Sequence, residues 1–124
     1  MSQDVIADAL NKMLNASRAG KSSLQVGRHS KLLLSVLALA KLKGYVKNYR
    51  VENNLLNIEI GKLNLCKAIK PRFAVKVEEI EKYVKRYLPA KDIGMIIIST
   101  SQGLMTHATA QEKNLGGSLV AYFY

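Results

Sequence analysis

Cysteine occurs once, at Cys66, which excludes an internal disulfide and suits a reducing compartment. Histidine occurs twice, at His29 and His107, too far apart in the chain to join a lone cysteine as a zinc site. No cofactor is implied. Acidic residues are few, 9 against 19 Lys and Arg, so the formal net charge is +10. That imbalance points to a polyanionic partner, of which nucleic acid is the commonest. Apolar runs such as Val36 to Ala40 and Leu119 to Tyr124 are far too short to span a membrane. Met-Ser-Gln-Asp lacks the basic-then-apolar pattern of a signal peptide, so a cytoplasmic protein is expected. No internal repeat, low-complexity tract or long linker appears. What is present is 48% apolar residues over 124 positions, enough for one globular domain or two small subdomains.

Along the chain, Val5, Ile6, Ala9, Leu10, Met13 and Leu14 recur at helical spacing and predict a helix from about Asp4 to Arg18. Asn11, Lys12, Asn15 and Arg18 fall largely away from that stripe, as a solvated face would. Ala19-Gly20-Lys21 is a turn and Ser22 to Val26 a short strand. A second helix follows Ser30, its N-cap, with Leu32, Leu33, Val36, Leu37, Leu39 and Ala40 as its buried face and Gly44 as its stop. Asn53-Asn54 separates Tyr45 to Glu52 from Leu55 to Ile60, a hairpin signal. A further strand is expected from Leu63 to about Ile69. From Gly61 to Lys91 nine basic residues stand against Glu78, Glu79 and Glu81. Within that stretch Val77, Ile80, Val84 and Tyr87 predict a short amphipathic helix ended by Leu88-Pro89.

The last third is different. Ile96-Ile97-Ile98 is a β-branched run and predicts a buried strand. Ser99-Thr100-Ser101-Gln102-Gly103 then places three hydroxyls, an amide and a glycine in a tight turn, where Gly103 supplies positive φ or a close backbone approach. Thr106 is placed to N-cap a helix from His107 to roughly Asn114, Gly116-Gly117 breaks it, and Ser118 to Tyr124 is a final strand. From Ile93 onward Glu112 and Lys113 cancel, so this segment is neutral inside a basic protein. Such a loop suits reading shape and base edges while charges elsewhere hold phosphates; a polar connection between strand and helix has the same composition. With no long alternation of strand and helix, the fold expected is α+β with antiparallel sheets.

Ile98-Ser-Thr-Ser-Gln-Gly-Leu-Met105, followed by Ala110 and Gly116-Gly117, resembles the closing signature of the eighth small-subunit ribosomal protein family. Lys70-Pro71-Arg72-Phe73 and Arg86-Tyr87-Leu88-Pro89-Ala90 resemble its archaeal and eukaryotic branch. The resemblance runs from Asp4 to Tyr124. It implies two small subdomains with mainly antiparallel sheets packed together and helices on the outer faces, here 1–62 and 63–124. It further implies a structural, non-enzymatic component of the ribosome in the cytoplasm, monomeric when free, that binds the central domain of small-subunit rRNA early in assembly beside other ribosomal proteins. Neither a small-molecule substrate nor a membrane enters. The RNA-contacting residues implied are Ser99, Thr100, Ser101, Gln102, Gly103 and Met105, with Ser30, Lys31, Asn15, Arg72 and Lys76.

The chain departs from the family in three places. Gly27-Arg28-His29 replaces a proline-bearing approach to the second helix. The hairpin at Asn53-Asn54 is shorter than the family often carries. Ala108 and Thr109 stand where acidic residues are usual, so Thr109, at the third helical position, cannot complete a capping box.

Two other functions fit parts of the sequence. An RNA-binding regulator acting on its own message would need the same chemistry as the ribosomal role. A hydrolase would need Ser99 or Ser101 as nucleophile, His107 as base and Asp92 to orient it, but no G-x-S-x-G elbow is present and His107 is expected to open a helix in solvent.

Overall fold

A computed structural model describes residues 5–70, 72–90 and 92–124. Asp4, expected near the first helix N-terminus, lies outside them. The element order is α1 (Val5–Arg18), β1 (Ser23–Val26), α2 (Lys31–Leu42), β2 (Val46–Glu52), β3 (Leu55–Ile60), β4 (Cys66–Ala68) and β5 (Ala74–Val75), then a 3-10 turn (Val77–Glu79), α3 (Ile80–Tyr87), β6 (Met95–Thr100), β7 (Gly103–Thr106), α4 (His107–Glu112) and β8 (Gly117–Phe123). The fold is α+β. It divides into two compact units, residues 1–67 and 68–124.

In the first unit α1 lies against β1 and α2 against β2. The stripe read from α1 is buried through Ile6, Ala9, Leu10, Met13 and Leu14, and α2 buries Leu33, Val36, Leu37 and Ala40. Ser30 caps α2 as expected, its Oγ accepting from the Leu33 N–H at 3.1 Å. The sheet runs β1-β3-β2, antiparallel throughout. Asn53 and Asn54 both take left-handed φ, 52° and 63°, the two-residue turn whose twist matches the flanking strands. Cys66 is fully buried and donates its Sγ–H to the Leu10 carbonyl at 3.3 Å. Burial pushes its thiol up to about 12, so it is an inert packing group.

In the second unit β8, β6 and β7 are neighbours in that order, with β5 also paired to β8. Ile96, Ile98, Met105 and Leu119 pack with Ile80, Val84 and Leu88 of the α3 segment and with Ala110 of α4 into one core. Two expectations are corrected here. Ser99 and Thr100 end β6 rather than opening a loop, and Leu104 and Met105 belong to a further strand, β7, that pairs with it: Ile98 faces Met105, Ser99 faces Leu104 and Thr100 faces Gly103. Two apolar residues are too short to read as a strand; only the pairing decides them. Gly116-Gly117 does not stop α4 either. Asn114 does, with φ 57°, while the Leu115 N–H reaches back to the Ala110 carbonyl at 2.9 Å.

Thr106 caps α4, its Oγ1 accepting from the Thr109 N–H at 3.4 Å and lying 3.2 Å from the Thr109 hydroxyl. Thr109→Glu would replace that hydroxyl pair by a capping box with a carboxylate at the helix N-terminus. Thermal unfolding of the RNA-free protein should then show a gain of a few tenths to about 1 kcal/mol. A loss would mean that the hydroxyl pair outweighs the carboxylate.

Candidate nucleic-acid interface

The hydroxyl-rich segment is the tip of the β6–β7 hairpin. Ser101 and Gln102 form the turn with ordinary negative φ, and Gly103 follows at φ +105°. Nothing lies within 4 Å of where a Cβ on Gly103 would sit, so this glycine serves conformation alone, the first of the two alternatives. Thr100 closes the turn from inside. Its Oγ1 donates to the Gly103 carbonyl at 2.9 Å and accepts from the Gln102 N–H at 3.1 Å. Its hydroxyl proton is therefore committed within the protein. Ser101 and Gln102 are exposed and Ser99 is half-buried, so these three present the free hydrogen-bonding groups. Met105 is 6% exposed and its sulfur lies 4.0 Å from Thr100 Oγ1, supporting the turn from the core side.

Gly116 and Gly117 explain how other residues reach this tip. A Cβ on Gly117 would collide with the Ser99 carbonyl oxygen, and one on Gly116 would meet the Val75 oxygen at 2.5 Å and Lys76 Cα at 3.2 Å. The glycine pair thus lets the start of β8 lie close to both Ser99 and Lys76. The registers place Leu104, Ser99, Ser118 and Ala74 in one row across β7, β6, β8 and β5. Ser118, absent from the residues picked out by sequence, stands beside Ser99 on the same face of the sheet. A serine directly after a glycine pair at a strand start was the available signal. Lys76 is exposed, its backbone N–H held by Glu79 Oε1 at 2.9 Å, and Arg72 is exposed just before β5. The second unit therefore gathers Ser99, Ser101, Gln102 and Lys76 at one end of its sheet.

The first unit carries a separate set. Asn11, Lys12, Asn15 and Arg18 are all exposed along α1, and Asn15 lines a shallow hollow with Lys12, Lys21, Ser23 and Gln25. Arg28 Nη1 lies 4.0 Å from Asp8 Oδ2, which sets the loop before α2 beside the first turns of α1. Lys31 is exposed at the first position of α2, while the Ser30 hydroxyl is engaged as its cap.

His107 corrects another expectation. It is 8% exposed, and its Nδ1 accepts from the Ile96 N–H at 3.1 Å, so it faces the core rather than solvent. Ser99 lies three residues further along β6, about 10 Å away along the strand. Asp92 is exposed on the segment before β6. This is not a nucleophile–base arrangement. Among the described residues no group of His, Cys, Asp and Glu is placed to hold a metal ion, and no helix is long and apolar enough to cross a membrane.

A family model described as ribosomal protein S8 matches residues 4–124. The chain belongs to the ribosomal protein S8 family. It is 41% identical, over an alignment of 129 positions, to the small ribosomal subunit protein uS8 of Nanoarchaeum equitans (strain Kin4-M), with all of both chains covered. Membership makes the chain a structural ribosomal protein, a component of the small subunit. For an S8 protein the hairpin tip and the glycine pair are the segments that carried the resemblance at the outset, and the fold brings them into contact.

Proposed function

We propose that this S8 protein is a primary rRNA-binding protein of the small subunit that binds the central domain of small-subunit rRNA, supports its assembly beside neighbouring ribosomal proteins, and performs no catalysis. Within it, residues 63–124 read an irregular RNA feature through the hairpin tip, and residues 1–62 hold the backbone through Asn15, Ser30 and Lys31. The observation that carries this reading is the hairpin tip itself. Thr100 locks the turn, leaving Ser99, Ser101 and Gln102 free, with Lys76 exposed at the same end of the sheet. Uncharged donors and acceptors on a narrow ridge suit the shallow minor groove or unpaired bases of RNA, whose deep major groove admits no side chains. Arg72 and Lys76 supply the salt-dependent attraction to phosphates.

Binding to a central-domain rRNA fragment and to arbitrary duplex RNA, each measured across a salt series, tests the assignment. Replacing Ser99, Ser101 and Gln102 together with alanine should weaken the cognate fragment by about tenfold or more, since buried base edges lose their partners. The salt slope should stay unchanged, because no phosphate contact is removed. Arg72→Ala should instead weaken both RNAs alike and reduce the slope by roughly one. If the triple variant keeps its full preference for the cognate fragment, the hairpin tip is only a turn.

A further inference from the structure

Five aromatic rings form an unbroken run on the second unit. Phe73 and Tyr83 lie 5.2 Å apart between centroids, Tyr83 and Tyr87 6.4 Å, Tyr87 and Tyr122 5.0 Å, and Tyr122 and Tyr124 6.5 Å. The last three pairs are stacked, with interplanar angles of 19°, 30° and 16°. The whole chain has six tyrosines and two phenylalanines, so most of its aromatic surface is gathered here. Each ring is half-buried, packed against the core on one side and open on the other.

Charge is sorted around this strip. On α3, at 3.6 residues per turn, Ile80, Val84 and the following Leu88 form the buried stripe, and Tyr83 and Tyr87 flank it on one side. One step further out on that side come Lys82 and Arg86. Lys82 Nζ stands 5.7 Å from the Tyr83 ring centre and Arg86 Cζ 5.9 Å from that of Tyr87. Glu81 falls on the opposite flank, lining a hollow with Val84, Leu88 and Pro89. Glu79, nearest the strip at the start of the helix, has its carboxylate on the Lys76 N–H. Tyr122 titrates above the ordinary tyrosine range, first through burial and then through Tyr124 and Tyr87, so the phenol groups also stand close together.

A lid over a core needs only apolar surface. A row of stacked rings edged by cations and phenol hydroxyls, with Glu79 engaged and Glu81 on the opposite flank, matches a ligand that is planar, apolar on its faces and anionic at its edge. We propose that this strip is a second RNA contact, separate from the hairpin tip, which takes unpaired nucleotides by stacking bases against the tyrosines while Lys82 and Arg86 hold their phosphates. An acidic peptide would satisfy the cations but not the rings, whereas a single-stranded nucleotide segment satisfies both. The inference rests on the reading of the chain as an RNA-binding protein.

The chain has no tryptophan and four of its six tyrosines lie on the strip, so intrinsic tyrosine emission reports on it directly. Titration with an unstructured RNA of about ten nucleotides should quench that emission. Tyr83→Leu with Tyr124→Leu removes two rings but keeps the core covered, and should weaken single-strand binding by about tenfold or more. Lys82→Ala with Arg86→Ala leaves every ring in place on an exposed face; it should weaken the same RNA several-fold and lower the salt slope. Both double variants should keep their preference for the central-domain fragment over arbitrary duplex. Unchanged single-strand affinity in the charge variant, or quenching by poly-glutamate but not by RNA, overturns the proposal, the latter by marking a protein-docking surface. Failure of the wild-type protein to bind the central-domain fragment would instead count against the RNA-binding reading beneath it.

Discussion

Ile97→Ala should lower the unfolding free energy by about 2–5 kcal/mol, with a correspondingly earlier denaturant midpoint and an unchanged slope. Ile97 is fully buried at the middle of β6, facing Ala121 on β8 and Thr106 on β7. Strands are bonded on both sides of it, so the backbone has little freedom to collapse into the space that three lost carbons would leave. The β-branched side chain also favours the extended backbone there, a preference that alanine lacks. A variant that unfolds at the wild-type midpoint would show that this position is loosely packed.

Gly117→Ala should cost about 3 kcal/mol, at the upper end of what overpacking does. The added carbon would meet the Ser99 carbonyl oxygen and carbon and a methyl of Ile98. The obstacle is backbone, so no side-chain rotation relieves it. β8 and β6 must move apart there, which displaces Ser99 relative to β8. Unfolding measurements should therefore show the loss, and binding to the cognate RNA fragment should weaken in parallel. Gly103→Ala offers the contrast. It has open space around it and only a left-handed backbone to lose, so about 1–2 kcal/mol is expected there. Equal stability of Gly117→Ala and the wild-type protein would mean that the strands separate without cost.

What the sequence made legible was what neighbouring residues decide among themselves. Ser30 and Thr106 cap the helices assigned to them because an N-cap needs only a hydroxyl and the N–H three residues on. Asn53-Asn54 turns the first hairpin for the same local reason. Leu104 and Met105 could not be read as a strand, because their extended state depends on Ile98 and Ser99 across the turn. Gly116-Gly117 was read as a helix breaker, whereas its role depends on Val75, Lys76 and Ser99, distant in sequence. His107 looked exposed because a residue after an N-cap often is, yet the Ile96 N–H draws it inward. At the candidate site the hydroxyls were visible, but not that the Thr100 proton is committed to the turn. The aromatic run was hidden for a plainer reason: its rings come from the residue before β5, from α3 and from the end of the chain.

The two hydrogen bonds of Thr100 have a further consequence, for the kinetics of recognition. A loop that takes its shape only on meeting RNA loses conformational entropy at that moment, and the loss weakens the complex. Here the turn is ordered during folding, when Thr100 joins Gly103 and Gln102. On the proposed reading of the tip as an RNA contact, encounter would require no rearrangement of the tip, association would be limited by diffusion and orientation, and discrimination between RNAs would fall on how slowly the right one leaves.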